Sequence, residues 1–347
     1  IKKIEKKGKI IIYRLYTPQH KNKFYKQVIG YMFFFIQSLF LSIKYRKSFD
    51  LVFSTSSRLG TGFLGYIISS FYKKKFALDI RDVFSDNLKS ISFTKNFVGN
   101  FLLNVLSNLE SIMVRRANWI NFVSPGFFSY KHINPKNKKI NLFTNGIDKI
   151  FIENRSLLKK TNIFKKNKRK IITYAGNIGF GQGLEKTVAS LAQYFEKQIE
   201  FQLIGDGSSI DLIRNQINSL GISNITLKEP MKREKLISIY NKSDVLFLQL
   251  NNIQAFENVL PSKIFEYASF EKPILAGVDG ISKTFLKENF KHVYIFKPGD
   301  YRSGVSEIKK IISTENKIID NSDFIKKYDR SFIMEEMANS IVTDFET

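Results

Sequence analysis

The chain has 347 residues, 43% hydrophobic and 25% charged, with no cysteine and a formal net charge of +24. That length allows two domains of ordinary size, and that balance is globular rather than disordered. The lack of cysteine excludes disulfides and thiolate metal sites, and three scattered histidines, His20, His132 and His292, argue against a histidine zinc site. The charge has two readings. One is an anionic partner; the other is a compositional habit, as in an AT-rich genome, that multiplies Lys, Asn, Ile and Phe on solvated faces. No zinc-finger, helix-turn-helix or aromatic RNA-binding fingerprint is present, so nucleic acid is the weaker partner.

The first fifty residues hold twelve Lys/Arg against two acids, Glu5 and Asp50. The chain opens on Ile1, and no signal peptide is read there. Ile10–Leu15 reads as the first strand, with no glycine-rich loop before it. A first β–α unit of roughly 30 residues is therefore expected to be missing. The apolar run Val28–Ile43 lies between Lys21-Asn-Lys-Phe-Tyr-Lys26 and Lys44-Tyr-Arg-Lys47. It is shorter than the ~20 residues a bilayer span needs. It predicts an amphipathic helix packed on the N-terminal sheet, which also rests its aromatics and basic flanks on anionic lipid.

Alternating elements follow. Asp50–Ser54, Lys75–Ile80, Ala117–Val123 and Ile140–Phe143 read as strands, and Gly60–Tyr72 and Phe97–Arg116 as helices. Lys159–Lys170, rich in Lys and Asn, reads as a linker. The alternation then restarts, with strands at Ile171–Tyr174, Glu200–Ile204, Ile225–Lys228, Val245–Gln249 and Pro273–Ala276. Helices are expected at Leu184–Phe195, Ser209–Ser219, Lys232–Asn241 and Ser262–Ser269. A further β–α unit follows from Val293, and Phe332–Phe345 is a last helix. Strands separated by helices imply parallel β–α units in an α/β fold.

The strongest chemical signal is a pair of segments. In Tyr174-Ala-Gly-Asn-Ile-Gly-Phe-Gly-Gln-Gly183, a strand runs into a turn whose glycines let backbone N–H groups approach an anion. In Val259-Leu-Pro-Ser-Lys-Ile-Phe-Glu266, a helix starts with Ser262 and Lys263 and carries Glu266 one turn on. Lys263 can meet phosphate charge, and Glu266 can accept hydrogen bonds from ribose hydroxyls. Together they point to a nucleotide-sugar site. The alternatives are a plain β–α turn, a solvated Glu and a helix-capping Ser262.

Asp79-Ile-Arg-Asp-Val-Phe-Ser-Asp-Asn-Leu88, Val123-Ser-Pro-Gly126 and Asn145-Gly-Ile-Asp148 resemble the N-terminal half of retaining glycosyltransferases of family four. Tyr174–Gly183, Leu203-Ile-Gly-Asp-Gly207 and Leu260-Pro-Ser-Lys-Ile-Phe-Glu-Tyr267 resemble their C-terminal half, in the same order. Within that family the chain looks most similar to bacterial O-antigen and capsule enzymes of the N-acetyl-L-fucosamine transferase type.

The resemblance implies a GT-B fold of two Rossmann-like domains facing a cleft. An acceptor domain would span 1–150, a donor domain 151–330, and a helix over 331–347 would cross back to the first domain. It implies a donor site of Gly176, Gly179, Gln182, Gly183, Met231, Leu260, Ser262, Lys263 and Glu266, with Glu229-Pro-Met231 lining the base pocket. Arg81 and Asp82 would be catalytic, the first facing developing negative charge and the second the acceptor hydroxyl. Where relatives often carry a second Glu, eight residues before Glu266, stands Asn258, with Glu257 beside it.

No Asp-x-Asp metal motif is placed for catalysis, so activity without metal or other cofactor is expected. The expected partners are a UDP-sugar and an undecaprenyl-diphosphate-linked glycan at the inner face of the cytoplasmic membrane. Two rivals share this fold: a nucleotide-sugar epimerase, which would want His and Glu pairs at the cleft, and a degenerate, non-catalytic binding protein.

Overall fold

In the computed structural model, residues 3–18, 24–56, 59–89, 97–134, 138–154, 169–314 and 319–346 are described. Most of the expected linker, and His20, lie outside them.

The chain begins with an antiparallel hairpin, β1 (Ile4–Lys7) and β2 (Ile10–Tyr13). The strand expected at 10–15 therefore pairs with a neighbour the sequence reading missed. Helix α1 (Phe24–Tyr45) follows, six residues longer than the apolar run itself. Its 18-residue window Val28–Tyr45 has the length and composition to cross a membrane, and only 6% of that window is buried. It packs on the next helix rather than on the sheet: the Tyr31 ring lies against Gly60. The hairpin is tied to its outer side, where Gln37 Nε2 donates to Tyr16 O at 2.8 Å and the Tyr13 and Tyr45 hydroxyls bond each other.

β3 (Leu51–Ser56), α2 (Leu59–Phe71), β4 (Lys75–Ile80), α3 (Phe84–Lys89), α4 (Phe97–Arg116) and β5 (Trp119–Phe122) come next. The three strands form a parallel sheet in the order β3-β4-β5. No fourth strand forms at 140–143. A single bridge joins Asn121 to Asn141, and the Asn121 side chain then takes both main-chain groups of Phe143, at 2.6 and 3.0 Å. An amide side chain replaces the ladder there. A 3-10 turn at Pro125–Ser129 and a short α5 (Lys149–Glu153) complete this half.

The second half contains β6 (Lys170–Ala175), α6 (Val188–Tyr194), β7 (Ile199–Ile204), α7 (Ile210–Ser219), β8 (Ile225–Lys228), α8 (Arg233–Lys242) and β9 (Val245–Gln249). It continues with α9 (Gln254–Glu257), α10 (Ser262–Ala268), β10 (Ile274–Gly277), α11 (Gly280–Asn289), β11 (Val293–Phe296), α12 (Tyr301–Ser313), α13 (Ser322–Lys327) and α14 (Arg330–Glu346). The six strands are parallel, in the order β11-β10-β9-β6-β7-β8. Two cores cover the faces of this sheet, one around Phe265, Tyr267 and Leu248, the other around Phe201, Phe247 and Leu191.

The single helix expected at 184–195 breaks into a 3-10 turn, Leu184–Lys186, and α6. Thr187 is the break: its hydroxyl donates to Gln249 Oε1 at 2.7 Å and holds its backbone at φ −133°. Helix α14 packs its Met337, Ile341 and Phe345 on Ala77 and Trp119 of the first sheet, and Ser340 Oγ accepts from the Trp119 indole at 3.0 Å.

Candidate functional site

In an open parallel sheet a ligand crevice lies beyond the carboxyl ends of the strands where the winding reverses. The chain winds outward through β6, β7 and β8, then restarts beside β6 at β9 and winds the other way. The reversal therefore falls between β6 and β9, and the glycine turn 176–183 leaves β6 at that point.

Gly176 holds φ +145°, a region that favours glycine. A side chain there would also collide with Lys263, whose Nζ lies against it and 5.2 Å from the centre of the Tyr174 ring. Burial pushes the Lys263 ammonium toward its neutral form, opposed by Glu266. Burial likewise raises the Glu266 carboxyl, against the Tyr240 hydroxyl, which donates toward it, and against Lys263. Among the described residues, neither charge is within ion-pair distance of an opposite one. Two desolvated charges of opposite sign stand one helical turn apart on α10. A bound anion and a pair of hydroxyl donors would restore their charged forms.

Beside them is a cavity of about 280 Å³ lined by Ala175, Gly176, Asn177, Ile204, Gly205, Asp206, Pro230, Met231 and Leu236. Met231, expected to line a base pocket, is one of the residues lining this cavity. Other expected residues fall differently. Leu260 is buried in the core, so only its main chain is available to a ligand. Gln182 turns back on the loop, where its Oε1 accepts from Asn177 Nδ2 at 2.9 Å and from Gly179 N at 3.3 Å. Ser262 does not cap α10; Pro261 is the N-cap, and Ser262 is exposed in the first helical position. The carbonyl of Gly183 accepts from Gln249 Nε2 at 2.6 Å, which fixes the end of the glycine turn.

Gln249, Asn251 and Tyr240 were missed by the sequence reading. Asn251 bonds Phe180 O at 2.8 Å and receives Lys186 Nζ at 2.6 Å. The only sequence signal for Gln249 is a polar residue ending an otherwise apolar strand, Val245-Leu-Phe-Leu-Gln249.

On the first domain, Arg81 and Asp82 leave β4 at its carboxyl end. They do not pair with each other by contact. Arg81 Nε donates to Asp79 Oδ2 at 2.9 Å, and Nη1 donates to Asn145 Oδ1 at 3.1 Å. Burial raises the Asp82 carboxyl to about 6, with Arg81 pulling the other way. The next turn is fixed from below by buried Glu110, which accepts from Phe84 N at 2.8 Å and from the Ser85 hydroxyl.

The segment 145–148 joins the two sides. Asn145 touches Arg81. Three residues on, Asp148 accepts from Arg330 Nη1 at 2.9 Å and from Arg233, and both Asp148 and Arg233 lie within electrostatic reach of Glu266. A second contact crosses the cleft at Asn258. Its carbonyl accepts from Ser124 Oγ at 2.6 Å, and its Nδ2 donates to the Tyr130 hydroxyl at 3.0 Å. Gly126 makes this approach possible, since a Cβ there would sit 2.5 Å from the Cα of Asn258. Asn258 thus has a cross-domain partner in place of a free side chain. Among the described residues, no group of three or more His, Asp or Glu could hold a metal ion.

Residues 158–329 match the family described as Glycosyl transferases group 1. Among solved structures, the sucrose-phosphate synthase from Thermosynechococcus elongatus is similar over 100% of this chain and 86% of its own, with 14% identity and a TM-score of 0.78. HepE from Anabaena, in complex with UDP and glucose, covers 93% of this chain and 84% of its own at 15% identity, with a TM-score of 0.66. The lipopolysaccharide outer core galactosyltransferase WaaB, in its apo form, covers 91% and 82% at 16% identity, with a TM-score of 0.60. At such identities the likeness is one of fold. No curated protein sequence matches the chain. The crevice at the β6/β9 reversal therefore lies within the residues that match the glycosyl transferases group 1 family, on a GT-B frame of two Rossmann-like halves.

Proposed function

We propose that the protein is a retaining, metal-independent glycosyltransferase. It moves a sugar, of the N-acetylated or deoxy hexosamine kind, from UDP to a lipid-linked glycan during O-antigen or capsule assembly. It works at the inner face of the cytoplasmic membrane. The observation that carries this reading is the desolvated Lys263–Glu266 pair at the switch point, beside a cavity of nucleoside size. Lys263 neutralises the diphosphate and Glu266 accepts from the ribose. Two likenesses of fold support the choice of partners: HepE is solved in complex with UDP-glucose, and WaaB is a lipopolysaccharide core enzyme.

Arg81 faces the charge that develops as the bond to the diphosphate breaks. With an ammonium, a guanidinium and backbone N–H groups available to the leaving diphosphate, no divalent ion is needed for charge balance. Asp82 orients or deprotonates the acceptor hydroxyl. The leaving diphosphate oxygen assists on the same face of the sugar, which keeps the anomeric configuration.

The bilayer contact is made by α1, whose stripe Ile29, Met32, Phe33, Ile36, Phe40 and Ile43 is exposed, from 46% at Ile29 to 69% at Phe40. Exposed Lys44, Arg46 and Lys47 follow at its end and suit anionic headgroups.

The test is transfer of labelled sugar from a panel of UDP-N-acetylhexosamines to lipid-linked oligosaccharide, with and without excess chelator. The expected product has the anomeric configuration of the donor and forms equally fast with chelator present. An inverted product, or complete loss of transfer in chelator, would overturn the mechanism.

A further inference from the structure

One charged residue interrupts a buried strand. Asp79, in Lys75-Phe-Ala-Leu-Asp-Ile80, is 1% exposed at the centre of the first sheet. It stands in register with Thr55 on β3 and Asn121 on β5, so the three form one polar rung across the sheet. Every contact on its carboxylate is a donor. Thr55 Oγ1 reaches Oδ2 at 3.0 Å, and Asn121 Nδ2 reaches Oδ1 at 2.8 Å. Arg81 Nε reaches Oδ2 at 2.9 Å and also lies 3.1 Å from Thr55 Oγ1. Asn121 is in turn fixed by the main chain of Phe143, two residues before the Asn145 that holds Arg81 Nη1.

We propose that Asp79 is a positioning residue. With Thr55 and Asn121 it locks the inner edge of the Arg81 guanidinium, so that the Nη2 edge is presented to the cleft at a fixed angle. This rests on the reading of Arg81 given above.

A planar, always-charged guanidinium loses little entropy on binding an anion only if its plane is already set. Two of its donor nitrogens are committed here, Nε to Asp79 and Nη1 to Asn145. The rung also needs a group that accepts at both oxygens, which a carboxylate does and an amide cannot. An Asn at 79 would turn its NH₂ either toward the Asn121 amide or toward the Arg81–Thr55 side. One donor would then face another, and the rung would come apart.

The experiment compares Asp79→Asn, Thr55→Val, Arg81→Lys and the double variant Asp79→Asn/Arg81→Lys by three readouts. The first is the Nε–H resonance of Arg81 in an arginine side-chain ¹H–¹⁵N spectrum, assigned by its loss in Arg81→Lys. It is expected as a slowly exchanging signal in the native protein, lost in Asp79→Asn and faster-exchanging in Thr55→Val. The second is saturable UDP binding by calorimetry, expected to persist in all variants because Lys263 and Glu266 lie on the other domain, and to weaken in Asp79→Asn and Arg81→Lys because Arg81 meets the diphosphate. The third is UDP release from UDP-N-acetylglucosamine as probe. It is expected to fall about tenfold or more in Asp79→Asn and in Arg81→Lys, with no further fall in the double variant.

An unchanged Arg81 resonance in Asp79→Asn would overturn the proposal, as would losses that multiply in the double variant. If the native protein neither bound UDP nor released it, the donor reading would fail. The resonance would still decide whether Asp79 holds Arg81. Thr55→Val, which removes one hydroxyl and no charge, serves if Asp79→Asn does not fold.

Discussion

Asp82 is the residue whose ionisation the fold alters most usefully. Burial raises its carboxyl to about 6. The folded protein therefore holds the Asp82 proton more tightly than the unfolded chain does. Stability falls as pH rises from the ordinary carboxyl range through about 6, and the cost is complete at neutral pH. Asp82→Asn removes that cost. It should raise the melting temperature at pH 7 and give no gain near pH 3.5, measured by scanning calorimetry. The same variant should lose turnover. If the ionised form serves the acceptor, the native pH–rate profile falls below about pH 6, by about tenfold per pH unit. A profile flat from pH 5 to pH 8 would remove Asp82 from the mechanism. Glu266 carries the same cause in the other domain, so donor binding weakens toward acid pH as its carboxylate takes up a proton. These shifts were not legible in the sequence. It displayed the charges of Arg81-Asp82, but a desolvation shift needs the walls around the group, and the partner of Arg81 proved to be Asp79 rather than Asp82.

At the scale of elements, α1 is the piece whose surroundings the sequence reading misjudged. This basic, aromatic apolar run was expected to pack on the N-terminal sheet and also to expose aromatics beside its basic flanks. The packing partner is α2, through Tyr31, rather than the sheet, and a stripe from Ile29 to Ile43 is exposed. Replacing Phe33 and Phe40 together by Asp should abolish co-flotation with anionic vesicles, and the melting temperature should hold within a few degrees because neither ring is buried. Native flotation should weaken with salt if Lys44, Arg46 and Lys47 contribute. Unaltered flotation of the double Asp variant would move the membrane contact elsewhere. The parallel strands were read well: those at 75–80, 225–228 and 245–249 match residue for residue. Apolar runs bounded by turn residues carry that signal locally. The failures lie where side chains from distant elements intervene. Thr187 splits a helix because Gln249 bonds it, and Asn121 replaces a strand partner for Phe143. The hairpin at 4–13 was half-seen, since its basic residues masked the β1 alternation.

At the scale of the whole molecule, the two halves are joined by the segment 145–148, by the Gly126–Asn258 approach and by α14. Ile147 N donates to Tyr328 O at 2.7 Å, and Arg330 N returns a bond to Ile147 O at 3.1 Å, so the chain crosses between the halves twice at one place. That crossing places Asn145, beside Arg81, three residues from Asp148, which shares Arg233 with the surroundings of Glu266. Ordered motifs in the sequence carried the fold and the two segments that meet at the β6/β9 reversal, because glycine turns and a Ser-Lys pair at a helix start are local patterns. They could not supply Tyr240, Gln249 or Asp148, which enter only when distant strands and helices are brought together. The proposed function requires Lys263 and Glu266 to hold a nucleoside diphosphate at the β6/β9 reversal. Calorimetric titration of the native protein, Lys263→Met and Glu266→Ala with UDP tests it most directly. The account predicts saturable 1:1 binding to the native protein, weakened about tenfold or more by either substitution, as expected for loss of a hydrogen bond to a charged group. No heat of binding to the native protein, or equal affinity in all three, would contradict it.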